Sequence, residues 1–190
     1  MRKVAIEDRQ LILDDFFKVE AARLQFEHFD GSMSPVVRRL NFERGDAAAA
    51  LIFKPKSQTL FLINQFRYPT YQKGPGWMTE VVAGMIDKND SPEDTLKREI
   101  FEESGYQVMV LEQIATFYVS PGGSSERIFL FYAEVDDTQK RGKGGGVAGE
   151  QEDISPVEMT LPEALEQVRA GTILDAKTII GLFWLKNRLR

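Results

Sequence analysis

The stretch from Ser91 to Gly105 carries the start and stop signals of a helix, and it constrains the fold more than any other part of the sequence. Ser91 is a good N-cap, and Asp94 can complete a capping box with it. Gly105 suits the left-handed position that ends many helices. Leu96 and Ile100, four residues apart, form an apolar stripe opposite a charged face. We therefore predict an amphipathic helix between Ser91 and Gly105.

Three acidic side chains share one face of this predicted helix. Glu103 lies four residues after Glu99, and Glu102 lies three residues after it, so their carboxylates are neighbours. Like charges at this spacing destabilise a helix by roughly 0.2–0.5 kcal/mol per pair, whereas a bound divalent cation would reverse the effect. Mg²⁺ is typically held by one or two carboxylates together with substrate phosphates. By themselves the acids favour an ordinary solvated helix face, and a magnesium site is the alternative that their spacing permits.

The wider segment GMIDKNDSPEDTLKREIFEESGY resembles the signature of the Nudix hydrolases. That signature has a Gly, an acid after five further residues, and, after seven more, Arg-Glu-apolar-x-Glu-Glu-x-Gly-apolar. The matching residues are Gly84, Arg98, Glu99, Ile100, Glu102, Glu103, Gly105 and Tyr106. The first acid is normally Glu and here is Asp90, one methylene shorter. In the family that this segment resembles, the position is a structural and electrostatic partner rather than the main metal ligand, so we expect the substitution to affect the packing of the loop on the helix.

The resemblance implies roles for the residues of this segment. Glu99 and Glu103 would bind Mg²⁺ directly, or Mn²⁺ in its place, and the backbone carbonyl of Ala83 would add a ligand. Glu102 would support the cluster, and Arg98 would orient the acids through ion pairs. The implied reaction is the hydrolysis of a diphosphate bond.

Flanking segments narrow the substrate. Ser120–Gly123 and Ser124–Arg127 are similar to the downstream marker of the ADP-ribose and nucleoside diphosphate sugar pyrophosphatases, so Pro121, Gly122 and Glu126 are candidate substrate-binding residues. The other similar segments are Phe42–Gly45, Gln65–Tyr68, Glu80–Gly84, Glu150–Ile154 and Asp175–Thr178. ADP-ribose, giving AMP and ribose 5-phosphate, is the leading candidate substrate.

Two other functions stay open. A GDP-mannose or other nucleoside diphosphate sugar pyrophosphatase is the alternative within the enzyme class, because the tract Gly144–Val147 is similar to those enzymes. A nucleotide-sensing Nudix module without catalysis is the alternative from another class. The intact acids of the helix argue against it.

Further site residues are expected outside the helix. Arg67 ends a predicted strand, and its guanidinium would fork onto the diphosphate, with a surface ion pair as the alternative. Glu80 would hold a substrate hydroxyl or a water on the metal. The resemblance places a catalytic base on the glycine-rich loop, where Glu152 is our first choice and Glu150 the second.

The N-terminal strands are expected to serve a homodimer. In the family precedent, these strands of one subunit help to form the site of the other. Phe16 or Phe17 would stack on the nucleobase, and Arg38 or Arg39 would reach it across the interface. These strands also have apolar faces that are hard to bury within one small domain. This is a separate reason to expect that two subunits associate.

Composition excludes several classes of function. The chain has no cysteine, and His28 is its single histidine, so thiolate metal sites and histidine clusters are excluded. A net charge of −5 argues against a broad nucleic-acid-binding face. No stretch approaches the roughly 20 apolar residues of a membrane span, and the N-terminus lacks a secretory signal. We expect a cytoplasmic protein with a small-molecule substrate and no nucleic-acid or membrane partner.

Strand patterns dominate the rest of the chain, and the predicted class is α+β. Strands are predicted at 11–17, 22–28, 36–42, 47–53, 60–64, 80–83, 107–112, 114–119, 127–135 and 154–160. Two more helices are predicted, one from about Pro162 to Gly171 and one from about Lys177 to the end. Together with the resemblance, this predicts a Nudix α/β/α sandwich with a mixed sheet over residues 46–190. A small antiparallel strand element would precede it in residues 1–45.

Overall fold

The computed structural model describes residues 2–146, 149 and 153–190. Its strands are β1 (Val4–Asp14), β2 (Lys18–Phe26), β3 (Val37–Glu43), β4 (Ala47–Lys54), β5 (Thr59–Phe66), β6 (Trp77–Glu80), β7 (Val82–Met85), β8 (Glu112–Tyr118), β9 (Arg127–Glu134) and β10 (Ser155–Thr160). Its helices are α1 (Tyr68–Tyr71), α2 (Pro92–Ser104), α3 (Leu161–Arg169) and α4 (Ala176–Arg188), with a 3₁₀ turn at Asp137–Gln139.

The described residues form two compact units. The first contains the chain up to Asp46 together with Tyr118–Arg127, and the second contains Ala47–Phe117 and Ile128–Arg190. The predicted division into residues 1–45 and 46–190 assigns one continuous range to each domain. It therefore does not place the segment Tyr118–Arg127 with the N-terminal strands, as the first unit does. As a division into domains, it stays a prediction.

The first unit contains a three-stranded antiparallel sheet in the order β1-β2-β3, which confirms the predicted N-terminal antiparallel element. The predicted strand at 11–17 is wrong in its second half, because β1 ends at Asp14 and the chain turns before β2. In this turn the Asp15 carboxylate accepts a 2.7 Å hydrogen bond from the Phe16 backbone N–H. Such local side-chain bonds favour turns over strands.

The second unit contains a seven-stranded mixed sheet. Its order is β10-β5-β4-β9-β8, while β6 pairs with β5 and β7 pairs with β4. The pair β4–β9 is parallel, whereas β4 pairs with β5 and β7 in the antiparallel direction. The predicted mixed sheet is confirmed.

Strand β4 lies at the centre of this sheet and is buried on both faces. Its residues Ala49 and Leu51 pack in one apolar cluster with residues of α3 and α4, such as Leu182. The alternating residues, such as Ala50, pack in a second cluster with Leu96 of α2. Successive side chains of a strand point to opposite faces, so helices cover both sides of the sheet. This is the predicted α/β/α sandwich.

Helix α2 has the predicted N-cap at Ser91 and the predicted Gly105 at its end, but Asp94 bonds to the Ser91 hydroxyl instead of completing a capping box with the Ser91 backbone N–H. The Ser91 hydroxyl accepts a 3.1 Å hydrogen bond from the Asp94 backbone N–H and donates a 2.7 Å bond to the Asp94 carboxylate. Gly105 ends the helix with φ of +74°. Leu96 and Ile100 are fully buried, which stabilises the fold by about 2 kcal/mol each. These contacts fix the helix rigidly against the sheet.

The predicted strand at 107–112 is wrong, because β8 begins only at Glu112. The residues before it form isolated hydrogen bonds instead of a strand ladder. One of these is the 2.9 Å hydrogen bond from the Gln107 N–H to the Gln139 carbonyl. Burial of Val108 explains why the segment has the alternating pattern of a strand. The last two predicted helices are confirmed as α3 and α4. Among the described residues, none of the helices combines the length and the apolar composition of a membrane span.

Candidate active site

The carboxylate of Glu99 lies directly against the backbone of Gly84. A Cβ atom built at Gly84 would overlap Cγ, Cδ and Oε1 of Glu99. Gly84 belongs to β7, and its peptide bond to Ala83 places the Ala83 carbonyl in the same short strand. Only glycine leaves room for an acidic side chain here, which explains why a signature of this kind has Gly at this position.

Arg98 bridges two of the acids on α2. Its Nη1 lies 2.9 Å from Oε1 of Glu99 and 3.2 Å from Oε2 of Glu102. Burial alone would lower the pKa of Arg98, but the charges of Glu99 and Glu102 outweigh this effect and raise it. The ion pairs expected of Arg98 are present, and its part in catalysis stays a prediction.

Glu103 follows Glu99 by one helical turn and is almost completely buried, with 3% of its surface exposed. Two carboxylates and a backbone carbonyl are hard oxygen donors of the kind that Mg²⁺ prefers. Within residues 2–146, 149 and 153–190, no three acidic or histidine side chains form a cluster that would hold a metal ion by themselves. The oxygen donors of Glu99 and Glu103 are of the type that suits Mg²⁺, and their role as metal ligands stays a prediction.

Glu80 is shared by two cations. Its Oε1 accepts a 2.7 Å hydrogen bond from Nε of Arg67, and its Oε2 accepts a 2.6 Å bond from Nζ of Lys177. Glu80 is buried, whereas 41% of the Arg67 side chain is exposed. This bond uses the Nε of Arg67, and the two Nη atoms of the guanidinium carry four further N–H donors. The bond fixes the arginine without covering it.

The cluster continues into the start of α4. Lys177 also donates a 2.8 Å bond to Asp175, whose other oxygen accepts bonds from the Thr178 N–H and hydroxyl. The Thr178 hydroxyl in turn accepts a 2.9 Å bond from the Val81 N–H. Burial alone would lower the pKa of Lys177, but the carboxylates of Glu80 and Asp175 raise it above the ordinary value. The start of α4 is thereby joined to the strand end that carries Glu80.

In the first unit, Phe17 and Glu126 are connected through Arg44. The Arg44 guanidinium lies 5.3 Å from the centre of the Phe17 ring, and its Nε lies 3.5 Å from Oε1 of Glu126. The Phe17 ring also contacts Phe42 at 5.2 Å between centroids. Phe17 lies after β1, in the turn rather than in a strand.

Pro121 and Gly122 line an open cavity of about 370 Å³ in the first unit. Leu40 and Tyr118 also line it. Arg38 and Arg39 lie on β3 and are exposed to solvent. These residues are accessible to a ligand.

Contacts in the structure join Arg67 to Glu80 and Arg98 to Glu99 and Glu102, and the predicted site residues are divided between the two units. Seven predicted residues lie in the second unit: Arg67, Glu80, Ala83, Arg98, Glu99, Glu102 and Glu103. Six lie in the first unit: Phe17, Arg38, Arg39, Pro121, Gly122 and Glu126. Glu150 and Glu152, the candidate bases, lie outside the described residues.

Sequence reasoning assigned no role to Lys177, Asp175 or Arg44, although it noted the segments that contain them. Asp175 had a local signal, because it precedes a helix as an N-cap residue. No local sequence signal indicated the ion pair between Lys177 and Glu80, because the two residues lie far apart in the chain. Only the fold brings them together.

Comparison with known proteins agrees with this geometry. The NUDIX domain model matches residues 43–179. The chain is 38% identical over 185 residues to a GDP-mannose pyrophosphatase of Cronobacter sakazakii (strain ATCC BAA-894), covering 96% of this chain and 94% of that protein. It is 34% identical over 187 residues to a GDP-mannose pyrophosphatase of Escherichia coli O1:K1 / APEC, covering 97% and 96%.

A solved structure extends the comparison to the fold. The crystal structure of an ADP compounds hydrolase matches with a TM-score of 0.73 and 21% sequence identity, covering 98% of this chain and 94% of the other. At that identity, the similarity shows a common fold. The family model and the full-length relatives show the family as well as the fold. The chain belongs to the Nudix family of hydrolases, and its acidic helix is part of the sequence signature of that family.

Proposed function

We propose that this Nudix hydrolase splits the diphosphate bond of nucleoside diphosphate sugars. The observation that carries the proposal is the position of the Glu99 carboxylate against Gly84, one helical turn from the buried Glu103. A sensor without catalysis would not need this arrangement. Relatives that match over nearly their whole length are named pyrophosphatases, which supports the same reaction.

Glu99, Glu103 and the carbonyl of Ala83 would hold Mg²⁺, and Mn²⁺ would substitute for it. When bound, the cation supplies charge neutralisation at the diphosphate and lowers the pKa of water. Arg98 keeps Glu99 and Glu102 in place through its two ion pairs. Its positive charge also reduces the repulsion between the acids before the cation binds.

Arg67 would bind the diphosphate with the exposed edge of its guanidinium. Such forked contacts suit phosphate oxygens. We assign Glu80 to fixing Arg67 rather than to direct contact with substrate, because both of its oxygens already accept bonds from cations. Lys177 supports the same arrangement by donating a hydrogen bond to the other carboxylate oxygen of Glu80.

The proton of the attacking water would be taken by a glutamate of the glycine-rich loop. Glu152 is our first candidate and Glu150 the second. A carboxylate within hydrogen-bond reach of the water acts as a general base. The water oxygen then attacks one phosphorus, and the bond to the bridging oxygen breaks.

Two substrates stand out among nucleoside diphosphate sugars. GDP-mannose, which would give GMP and mannose 1-phosphate, is favoured by the names of the full-length relatives. ADP-ribose, which would give AMP and ribose 5-phosphate, is favoured by the segments around Pro121 and Arg67 that resemble ADP-ribose pyrophosphatases. GDP-mannose is therefore the first to test and ADP-ribose the second.

Selectivity for the base and sugar would come from the first unit in a homodimer. Phe17, supported by Arg44, offers a ring for a nucleobase. Arg38 and Arg39 offer exposed cations. Pro121 and Gly122 line an open cavity in the same unit, and Glu126 forms an ion pair with Arg44.

The test is a substrate panel with purified protein and Mg²⁺. Turnover of GDP-mannose, ADP-ribose and ADP-glucose is compared by product chromatography, with Glu103→Gln as the control. We expect kcat/KM for at least one sugar nucleotide to fall at least about 100-fold in the control, while the melting temperature stays near wild type. Hydrolysis of none of the three by the wild type, or equal activity in Glu103→Gln, would contradict the proposal.

A further inference from the structure

The last turn of α2, which carries Glu102 and Glu103, is closed by a later segment of the chain, Lys140–Gly146. The final carbonyls of a helix lack partners within the helix and must find them elsewhere. Here the segment supplies them: Gly146 N–H donates to the Glu102 carbonyl (3.1 Å), Gly145 N–H to Glu103 (2.9 Å), Lys140 Nζ to Ser104 (2.7 Å), and the N–H groups of Arg141 and Gly142 to Gly105 (2.8 and 3.0 Å). The whole turn is therefore bonded from outside the helix.

The contact is so close that it requires glycine on both sides. A Cβ atom at Gly144 would lie 2.5 Å from the Glu103 carbonyl oxygen and 2.8 Å from the Ser104 carbonyl carbon. A Cβ at Gly105 would overlap the Gly142 carbonyl. These are backbone atoms, which cannot rotate away as a flexible side chain does. Gly144 and Gly105 also have φ of +71° and +74°.

The segment also balances charge at this end of the helix. The ammonium group of Lys140 caps the negative end of the helix dipole and lies 4.8 Å from the centre of the Tyr106 ring. It adds a positive charge to a turn that carries two acids. Backbone bonds and charge therefore act on the same few residues.

We propose that Lys140–Gly146 is a positioning element that holds the last turn of α2 in the geometry that binds the metal. The proposal rests on the metal role of Glu103 in the proposed function. Glu103 is almost completely buried, so its side chain has little freedom to compensate for a shift of its backbone. A change in the segment is therefore transmitted to the ligand, although the segment itself contributes no metal-binding atom.

Three glycine variants separate this role from general backbone effects. Gly144→Ala introduces both the overlap with α2 and a strained φ. Gly145→Ala, with φ of +100° and open space around the added Cβ, introduces strain alone. A Cβ atom added at Gly149 meets nothing within 4 Å, and Gly149 has no positive φ. Gly149→Ala therefore controls for the loss of a glycine from this loop without overlap or strain.

Mn²⁺ affinity, measured from the electron paramagnetic resonance signal of the free ion, is the first readout because it needs no substrate. We expect Gly144→Ala to bind Mn²⁺ at least tenfold more weakly than Gly145→Ala and to have a lower kcat at saturating metal. Gly149→Ala should match the wild type in Mn²⁺ affinity. Equal Mn²⁺ affinity and kcat in Gly144→Ala and Gly145→Ala would overturn the proposal.

A second pair of variants decides the matter if Gly144→Ala does not fold. Lys140→Met removes the donor to the Ser104 carbonyl, and Lys140→Arg keeps a donor and a charge. We expect weaker Mn²⁺ binding in the first and recovery in the second, and wild-type affinity in Lys140→Met would refute the positioning role. A wild type that binds Mn²⁺ yet hydrolyses no sugar nucleotide would refute the proposed function alone.

Discussion

Lys177 and Glu80 form a 2.6 Å ion pair between the first turn of α4 and the end of β6. Only 14% and 5% of their side chains are exposed. Because Glu80 also holds Arg67, this pair links a structural helix to a residue proposed to bind the diphosphate. The stability of the fold and the geometry of the site are thus connected through one carboxylate.

Replacing Lys177 by Met should destabilise the protein by about 3 kcal/mol, because it leaves the buried charge of Glu80 with one partner fewer. The free energy of unfolding is measured with urea. Lys186→Met, in the last turn of the same helix, is the matched control. If the pair matters as described, Glu80→Gln combined with Lys177→Met costs less than the sum of the two single changes.

The same pair predicts a dependence on alkaline pH. Folding raises the pKa of Lys177 above its ordinary value of 10.5, so its stabilising effect is complete below that pH and is lost as the pH rises through the higher pKa of the folded state. The difference in unfolding free energy between wild type and Lys177→Met should therefore be constant near neutral pH and shrink only above about pH 10.5. A difference that already disappears between pH 7 and 9 would contradict this assignment.

Gly84→Ala should impair metal binding far more than stability. The added Cβ meets the carboxyl end of Glu99, a flexible group that can move aside. We expect Mn²⁺ affinity and kcat/KM to fall at least tenfold, while the unfolding free energy changes by about 1 kcal/mol or less. Gly122→Ala, whose added Cβ meets nothing within 4 Å, is the control for Mn²⁺ affinity, and equal Mn²⁺ affinity in the two variants would exclude the proposed metal role of Glu99.

Glu152→Gln and Glu150→Gln should differ sharply in kcat. When the residue that acts as the base is replaced, kcat should fall by about 100-fold or more. The acidic limb of the pH–rate profile of that variant should also disappear. Mn²⁺ affinity should stay near wild type in that variant. Two equally mild effects would mean that neither residue is the base.

The protein should be a homodimer with twice the 21.6 kDa mass of one chain, as measured by light scattering. Strand β1 exposes apolar side chains such as Leu11, 46% accessible. We expect Leu11→Lys to yield monomer and to weaken substrate selectivity. Gln10→Lys, its neighbour on the same strand, should remain dimeric, and a monomeric wild type would end the idea of a shared site.

Local chemistry made much of this structure predictable. Ser91 and Gly105 define α2 because capping depends on residues next to each other in the chain. The strand errors have the same origin. Phe16 has the apolar character of a strand residue, yet Asp15 bonds to its backbone and forms a turn.

Contacts between distant segments were beyond sequence reasoning. The bonds from Gly145 and Gly146 to α2 depend on how the chain folds back, and no local pattern encodes them. The same holds for Lys177 and Glu80. The family signature indicated which acids matter, whereas the residues that support them are visible only in three dimensions.

Four consecutive alanines begin β4, and each is buried between layers of helices. Larger side chains there would force neighbours apart at a cost of about 1–3 kcal/mol each. The middle of the sheet therefore tolerates few larger side chains, and we expect changes in substrate preference to arise at other positions. An enzyme built in this way can evolve a new preference while its catalytic scaffold stays unchanged.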